Sequence, residues 1–327
     1  MTRPLHITIH TPAQTLIRAG NRVTADRWQA ILASLGHRVD VTTAYDGAPA
    51  DILIAIHAWR SANAVVRFAG LYRERPIIVC LSGTDIYAYQ QSHPEVTHAT
   101  MAHAAALVGL HDLVGQSIPA RFRSKLQVIY QSAPALVRGT TAPDAFDACV
   151  IGHLRAEKDP FRAALASRLL PSTSRVRITH LGGAMDENWA AKAHAEMAVN
   201  PRYRWLGEVP ASVVRDTFAT ARLMVLSSLM EGGANVLGEA IAAHVPVIAS
   251  AIEGSLGLLG AEYPATYPVG DTHALAQLLQ RTEGDPAFLA TLTALCAARA
   301  PLFTPERERA AWAKLIAEVT QSSGPDG

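Results

Sequence analysis

The sequence predicts an α/β protein built from two doubly wound parallel sheets, and three observations carry that expectation. Short β-rich runs alternate with longer helical runs from one end of the chain to the other, the pattern of parallel strands covered by helices on both faces. The alternation stops once, at QSAPALVRGTTAPDA (131–145), whose Pro, Ala, Thr and Gly read as a linker. The length of 327 residues suits two ordinary domains better than one large one. The expected division is an N-terminal domain over 1–135, a C-terminal domain over 146–303, and a final helix and tail over 304–327 packing back on the first domain.

In the first domain the expected strands are 5–10, 38–43, 51–56, 76–81, 106–110 and 126–130, with helices such as 23–35 and 61–72 between them. In the second they are 146–151, 175–180, 203–206, 222–227 and 246–250. The segment PERERAAWAKLIAEVTQ opens with Pro and keeps a helical apolar period, so it is read as one last helix.

Composition narrows the function. Apolar residues make up 49%, charged residues 17%, and the net charge is +1, so the chain as a whole is not drawn to nucleic acid or to a membrane surface. Any anion site must be local. The long apolar stretches are read as broken by Gly, Pro or charge short of a membrane span, and MTRPLHITIHTPAQ lacks a secretion signal's uncharged core and cleavage site. A cytoplasmic protein is expected. Cys80, Cys149 and Cys296 have neither metal-ligand nor redox spacing and read as small buried hydrophobes.

Open α/β sheets bind ligands at the carboxyl ends of their strands, so the exit loops are the informative places. After strand 222–227 comes SLMEGGAN and then a helix, ANVLGEAIAAH. Glu231 precedes that helix and Glu239 lies about one turn inside it. Gly232 and Gly233 leave backbone amides open beside a helix N-terminus, a place for an anion or an oxygen-rich ligand. As acceptors, the two carboxylates suit vicinal hydroxyls, although one acidic pair alone reads equally well as helix-start acids facing solvent. After strand 146–151, Gly152 frees a turn, and Arg155 and Lys158 set two cations over the same end of the sheet, a layout for a diphosphate. Gly182 and Gly183 in HLGGAM add to that rim. A dehydrogenase is the weaker reading, since no strand is followed by G-x-G-x-x-G.

GHLRAEKDP together with EGGANVLGE resembles the nucleotide-sugar site of family 4 glycosyltransferases, the GT-B fold of two facing Rossmann-like domains with an interdomain cleft. The resemblance implies that Arg155 and Lys158 hold the donor diphosphate and that Glu231 with the amides of Gly232, Gly233, Ala234 and Asn235 holds the donor sugar. It implies Glu239 on the ribose hydroxyls and neither metal nor cofactor, and the sequence has no Asp-any-Asp motif. Arg155, Lys158 and Glu231 are thus the expected catalytic residues, with Gly152 and Gly182 lining the donor.

In the first domain, Arg18, Gly20, Asn21, Arg22 and Thr24 lie where a loop enters a helix, an anion-binding layout. Strand 51–56 leads to His57, Arg60 and Ser61, and strand 76–81 to Gly83, Thr84 and Asp85. Each has a plainer reading: a surface charge, a hydrogen-bonded strand end, a helix cap. Their common address at successive strand ends, with three arginines among them, suggests a small, multiply charged acceptor. TPA with GNRVTADRWQAILASLGHRV, then DILIAIHAWRSA and VCLSGTDIY, is similar to the selenosugar synthases of the selenoneine pathway. That resemblance implies UDP-N-acetylglucosamine and selenophosphate as substrates. Two alternatives stay open: a family 4 enzyme with a hydroxyl acceptor, sugar or lipid, and a nucleotide-sugar sensor that binds without reacting.

Overall fold

The computed structural model describes residues 3–12, 20–141 and 144–321. The chain divides into two units, one formed by Met1–Gln131 with Pro305–Gly327 and the other by Ser132–Thr304.

The first unit runs β1 (His6–His10), α1 (Gly20–Ser34), β2 (Arg38–Thr42), β3 (Ile52–Ile56), α2 (Ala62–Leu71), β4 (Ile77–Cys80), then a π-helical turn over Asp85–Tyr89 leading into α3 (Gln90–Ser92). It continues with α4 (Pro94–His103), β5 (Ala106–Gly109) and β6 (Leu126–Val128). All six strands are parallel, in the order β2-β1-β3-β4-β5-β6. The sequence of β3, ILIAI, is apolar at every position because helices cover both faces, and every residue of it is buried. The strand order reverses at β1, which opens a crevice between β1 and β3 at their carboxyl ends.

The second unit runs β7 (Phe146–Ile151), α5 (Arg162–Arg168), β8 (Val176–Leu181), α6 (Glu187–Val199), β9 (Tyr203–Trp205), α7 (Ala211–Thr220), β10 (Leu223–Leu226) and α8 (Asn235–Ala242). There follow β11 (Val247–Ser250), α9 (Glu253–Leu259), β12 (Thr266–Tyr267), α10 (Thr272–Gly284) and α11 (Pro286–Arg299). This sheet is also parallel, ordered β12-β11-β10-β7-β8-β9, so its switch point lies between β7 and β10. Its two-residue edge strand β12 had no counterpart among the expected strands, because two residues carry no period to read.

The last helix, α12 (Pro305–Gln321), belongs to the first unit. Trp312 packs edge-on against Trp28 of α1, with ring centroids 4.7 Å apart, and the buried Glu308 accepts hydrogen bonds from Trp28 Nε1 at 2.8 Å and Arg27 Nε at 3.3 Å. The chain therefore closes its first sheet only after completing the second.

One expectation is corrected. Pro286–Phe303 is, by length and composition, apolar enough to cross a membrane, with a mean hydropathy of 1.4 and 22% of it buried. Its Ala and Leu run carries a charge only at Arg299, so no charge interrupts it earlier. Within it α11 turns Phe288, Leu292 and Cys296 into the second unit, and Asp285 caps it by accepting from the N–H of Phe288 at 3.0 Å. Cys80, Cys149 and Cys296 are all free thiols and all buried.

Candidate active site

Hydrogen bonding and register converge on the β7–β10 switch point. β7 and β8 pair over six residues, from Phe146↔Val176 to Ile151↔Leu181, which brings Gly152 opposite Gly182 just past the strand ends. The approach is close enough that a Cβ at Gly182 would sit 2.1 Å from the Gly152 carbonyl oxygen, and Gly182 has φ +143, so the position requires glycine. Gly152 N–H donates to Leu181 O at 2.8 Å, and Leu154 N–H to Gly183 O at 2.9 Å.

From Gly152 the chain passes through Arg155 into a short 3-10 turn, Ala156–Lys158, and leaves it through Asp159 in the left-handed region, φ 44. The loop after β10 is stitched to this one. Ser227 Oγ reaches the carbonyls of Lys158 and Asp159 at 3.0 and 2.9 Å, and Leu229 N–H donates to Glu157 O at 2.8 Å. Across the stitched loops the Lys158 ammonium forms an ion pair with Glu231, whose Oε1 also accepts from Ser228 Oγ at 2.6 Å. Both partners are largely enclosed, at 17% and 12% side-chain exposure, so the pair is shielded from bulk water rather than screened by it. Gly254, at the start of α9, lies against Glu231, and a Cβ there would come within 2.2 Å of the Glu231 carbonyl oxygen.

The structure thus brings Lys158 and Glu231 into contact and Gly152 against Gly182. Arg155 is half-buried, and its Nε has no hydrogen-bond partner among the described residues. Gly232 and Ala234 are buried, and Gly233 has φ +149. Ala234 caps α8 but supplies no side-chain acceptor to the first turn, Asn235 opens the helix, and Glu239 lies half-buried one turn in. Sequence reasoning missed Ser227, Ser228 and Gly254. The serine pair directly after an apolar strand was the available signal, whereas the close approach at Gly254 depends on α9, which nothing local to β10 reveals.

The first unit places its candidates differently. Arg18 lies outside the described residues. Gly20 and Asn21 begin α1, and Arg22 pairs with Asp26 at 2.8 Å. Thr24 is buried and accepts from Gln131 Nε2 at 2.7 Å, so it ties α1 to the end of the unit. Ser61 is fully buried, donates to Ile56 O at 2.6 Å and bonds His10 Nδ1 at 2.9 Å, bridging the β1–β3 crevice from below. Asp85 is also fully buried, and its carboxylate accepts from the backbone N–H groups of Ala58, Ser82, Gly83 and Ile86 at 2.8 to 3.2 Å. Thr24, Ser61 and Asp85 thus each have partners within the protein, as a buried polar group must.

His57 is 1% exposed and holds a left-handed backbone, φ 78, a strained state for a residue with a side chain. Its Nδ1 accepts from the Arg60 N–H at 3.1 Å, so Nε2 carries the proton and donates to Thr84 Oγ1 at 2.9 Å. Burial pushes its pKa below the ordinary range, against the upward pull of Asp85. Arg60 is exposed beside a ring cluster that sequence reasoning did not single out: Trp59 stacks on Tyr89 at 4.0 Å, and Arg60 lies 5.8 Å from the Tyr89 ring.

The fold and the switch-point site together define a class, the two-sheet α/β architecture of GT-B type. Residues 146–285, which contain the whole site of the second unit, match the family model described as glycosyl transferases group 1. No curated protein matches the chain. Among solved structures, the chain is similar to sucrose-phosphate synthase (tll1590) from Thermosynechococcus elongatus, at 15% identity and a TM-score of 0.79, over 97% of this chain and 99% of that one. It is similar to Anabaena Alr3699/HepE in complex with UDP and glucose, at 15% identity and 0.74, over 96% and 100%. The pneumococcal O-GlcNAc transferase GtfA in complex with UDP and GlcNAc aligns at 14% identity and 0.60, over 82% of this chain and 57% of that one.

Proposed function

We propose that the chain is a UDP-sugar-dependent glycosyltransferase that joins selenophosphate to the sugar of UDP-N-acetylglucosamine. The observation that carries the donor half is the Arg155, Lys158 and Glu231 constellation at the β7–β10 switch point. Structural relatives bound to UDP support the choice of nucleotide.

In this reading the diphosphate takes Lys158 from Glu231. Glu231 then accepts from sugar hydroxyls, with the amides of Gly232 to Asn235 beside it. Glu239 accepts from the ribose. The bond between the anomeric carbon and its phosphate oxygen breaks, the electron pair leaves with UDP, and Arg155 and Lys158 offset the growing charge. Selenium forms the new bond to that carbon, and water then cleaves phosphorus from selenium to leave a 1-seleno-sugar and phosphate. Two cations and a helix start supply the charge offset, so the proposal includes neither metal nor cofactor, and the reaction belongs in the cytoplasm.

Acceptor identity is supported by the resemblance of the first domain's motifs and by the state of its polar groups. A hydroxyl acceptor needs a base, yet Asp85 is saturated by four backbone N–H groups and both His57 nitrogens are engaged. A nucleophile already deprotonated needs none. Among the described residues the proposed acceptor side comprises Gly20, Asn21, Arg22, Thr24, Arg60, Ser61, Gly83 and Thr84, with His57 and Asp85 as orienting contacts and not as bases.

The deciding experiment offers selenophosphate, thiophosphate, phosphate and simple sugars separately with UDP-N-acetylglucosamine and follows products by mass spectrometry. A seleno-sugar formed with stoichiometric UDP is the expected result. Transfer only to a hydroxyl would move the enzyme to another acceptor class, and tight UDP-sugar binding without UDP release from any mixture would make it a sensor.

A further inference from the structure

Inside β8, a strand otherwise built from apolar and outward-facing residues, His180 is 1% exposed and stands directly beneath the loop that carries Arg155 and Lys158. Its Nε2 lies 3.0 Å from the carbonyl oxygen of Gly152. A carbonyl can only accept, so Nε2 bears the proton, and Nδ1 must accept from its other partner, the Tyr203 hydroxyl at 3.0 Å. Tyr203 is itself buried at the start of β9, with its ring edge-on to Phe161 at 6.4 Å. The result is a directed relay, Tyr203 OH to His180 to Gly152 C=O, running across three neighbouring strands. Burial holds the ring neutral, with its pKa lowered to about 4.

The Gly152 peptide is fixed from the other side as well. Gly182 approaches its oxygen within the room that only glycine leaves, and Trp205 Nε1 holds the Gly182 carbonyl at 2.8 Å. Gly152 is therefore the anchored end of the loop, and Arg155 and Lys158 follow it by three and six residues.

We infer that His180 is a positioning residue: through Tyr203 and the Gly152 carbonyl it fixes the take-off of the cationic loop, so that Arg155 and Lys158 meet the donor diphosphate. The inference rests on the donor reading given above. It assigns to a residue that touches no substrate the task of setting where two charges stand, and misplacement of such charges costs affinity even when both side chains are intact.

The test is UDP titrated calorimetrically into the full chain and three variants, well below their melting temperatures. His180→Phe, which fills the space but cannot donate, should bind UDP about tenfold more weakly, the loss expected for one buried hydrogen bond. His180→Gln, whose amide can still donate to Gly152, should recover most of that affinity, which a purely space-filling role would not allow. If His180→Phe does not fold, Tyr203→Phe decides, since it keeps the ring and removes only the hydroxyl that orients Nδ1. Weakened UDP binding in that variant supports the relay, and unchanged binding overturns it. A wild-type chain that binds no UDP would overturn the donor reading and the relay's role with it. A wild type that binds, beside a folded His180→Phe that binds equally well, would overturn the relay's role alone.

Discussion

In the proposed donor reading, the Lys158–Glu231 pair is both a binding device and a competitor for the ligand. Glu231 neutralises the cation proposed to meet the diphosphate, and Ser228 steadies the carboxylate. Glu231→Gln should therefore raise affinity for UDP alone by a few fold, about 1 kcal/mol, while sugar transfer falls. Calorimetry beside a turnover assay separates the two effects, and UDP affinity that falls together with turnover would contradict the competition. His180 makes a second prediction. Its folded pKa near 4 lies below the ordinary 6.5, so the unfolded chain binds the proton more readily. The stabilisation is complete above about pH 6.5 and drains away as pH falls toward 4, amounting to about 3 kcal/mol for this one buried ring. Denaturant unfolding across that range should show the slope, and His180→Gln should flatten it.

Among the elements, α12 has the largest structural consequence for its size. It packs on the core that Ile7 and Ile9 of β1 form with Trp28 and Leu32 of α1, and Trp312, Leu315, Ile316 and Val319 complete that core. Trp312→Ala should cost about 3 to 5 kcal/mol in the stability of the first unit, read as an earlier first transition in thermal unfolding. A single unshifted transition would show that α12 is dispensable. The exit loops behave as elements of a different kind. Their shape was legible as far as Gly152, Gly182 and Gly232–Gly233 marked sharp turns. The stitching of 155–159 to 227–231 was not, because it is made by serine hydroxyls and main-chain groups that look the same in any loop.

At the scale of the whole molecule, the chain crosses between its units twice, once near Gln131 and again near Thr304. The second unit is continuous and contains every candidate donor residue, whereas the first is split and needs its C-terminal segment. A fragment spanning 132–304 should fold and retain UDP binding. A chain ending at 304 should keep that binding but lose the cooperative unfolding of the first unit. Both outcomes can be read by calorimetry and by scanning unfolding. A 132–304 fragment that folds without binding UDP would mean that the donor site draws on residues outside the unit.

What the sequence determined by itself is what depends on local pattern. Eleven of the twelve strands among the described residues follow from apolar runs and turn residues, and the places of Arg155, Lys158, Glu231 and Glu239 after strand ends could be counted from the sequence. What only the tertiary structure decided is which polar groups spend their hydrogen bonds on the protein. Asp85, Ser61 and Thr24 read in the sequence as candidate acceptor contacts, and the fold gives each of them partners in converging backbone N–H groups or neighbouring side chains. His180 reads as one polar residue in a strand and becomes the support of a loop only because register sets Gly152 beside it. A hydrogen bond between distant segments is fixed by where strands align in space, and no window of sequence contains that distance.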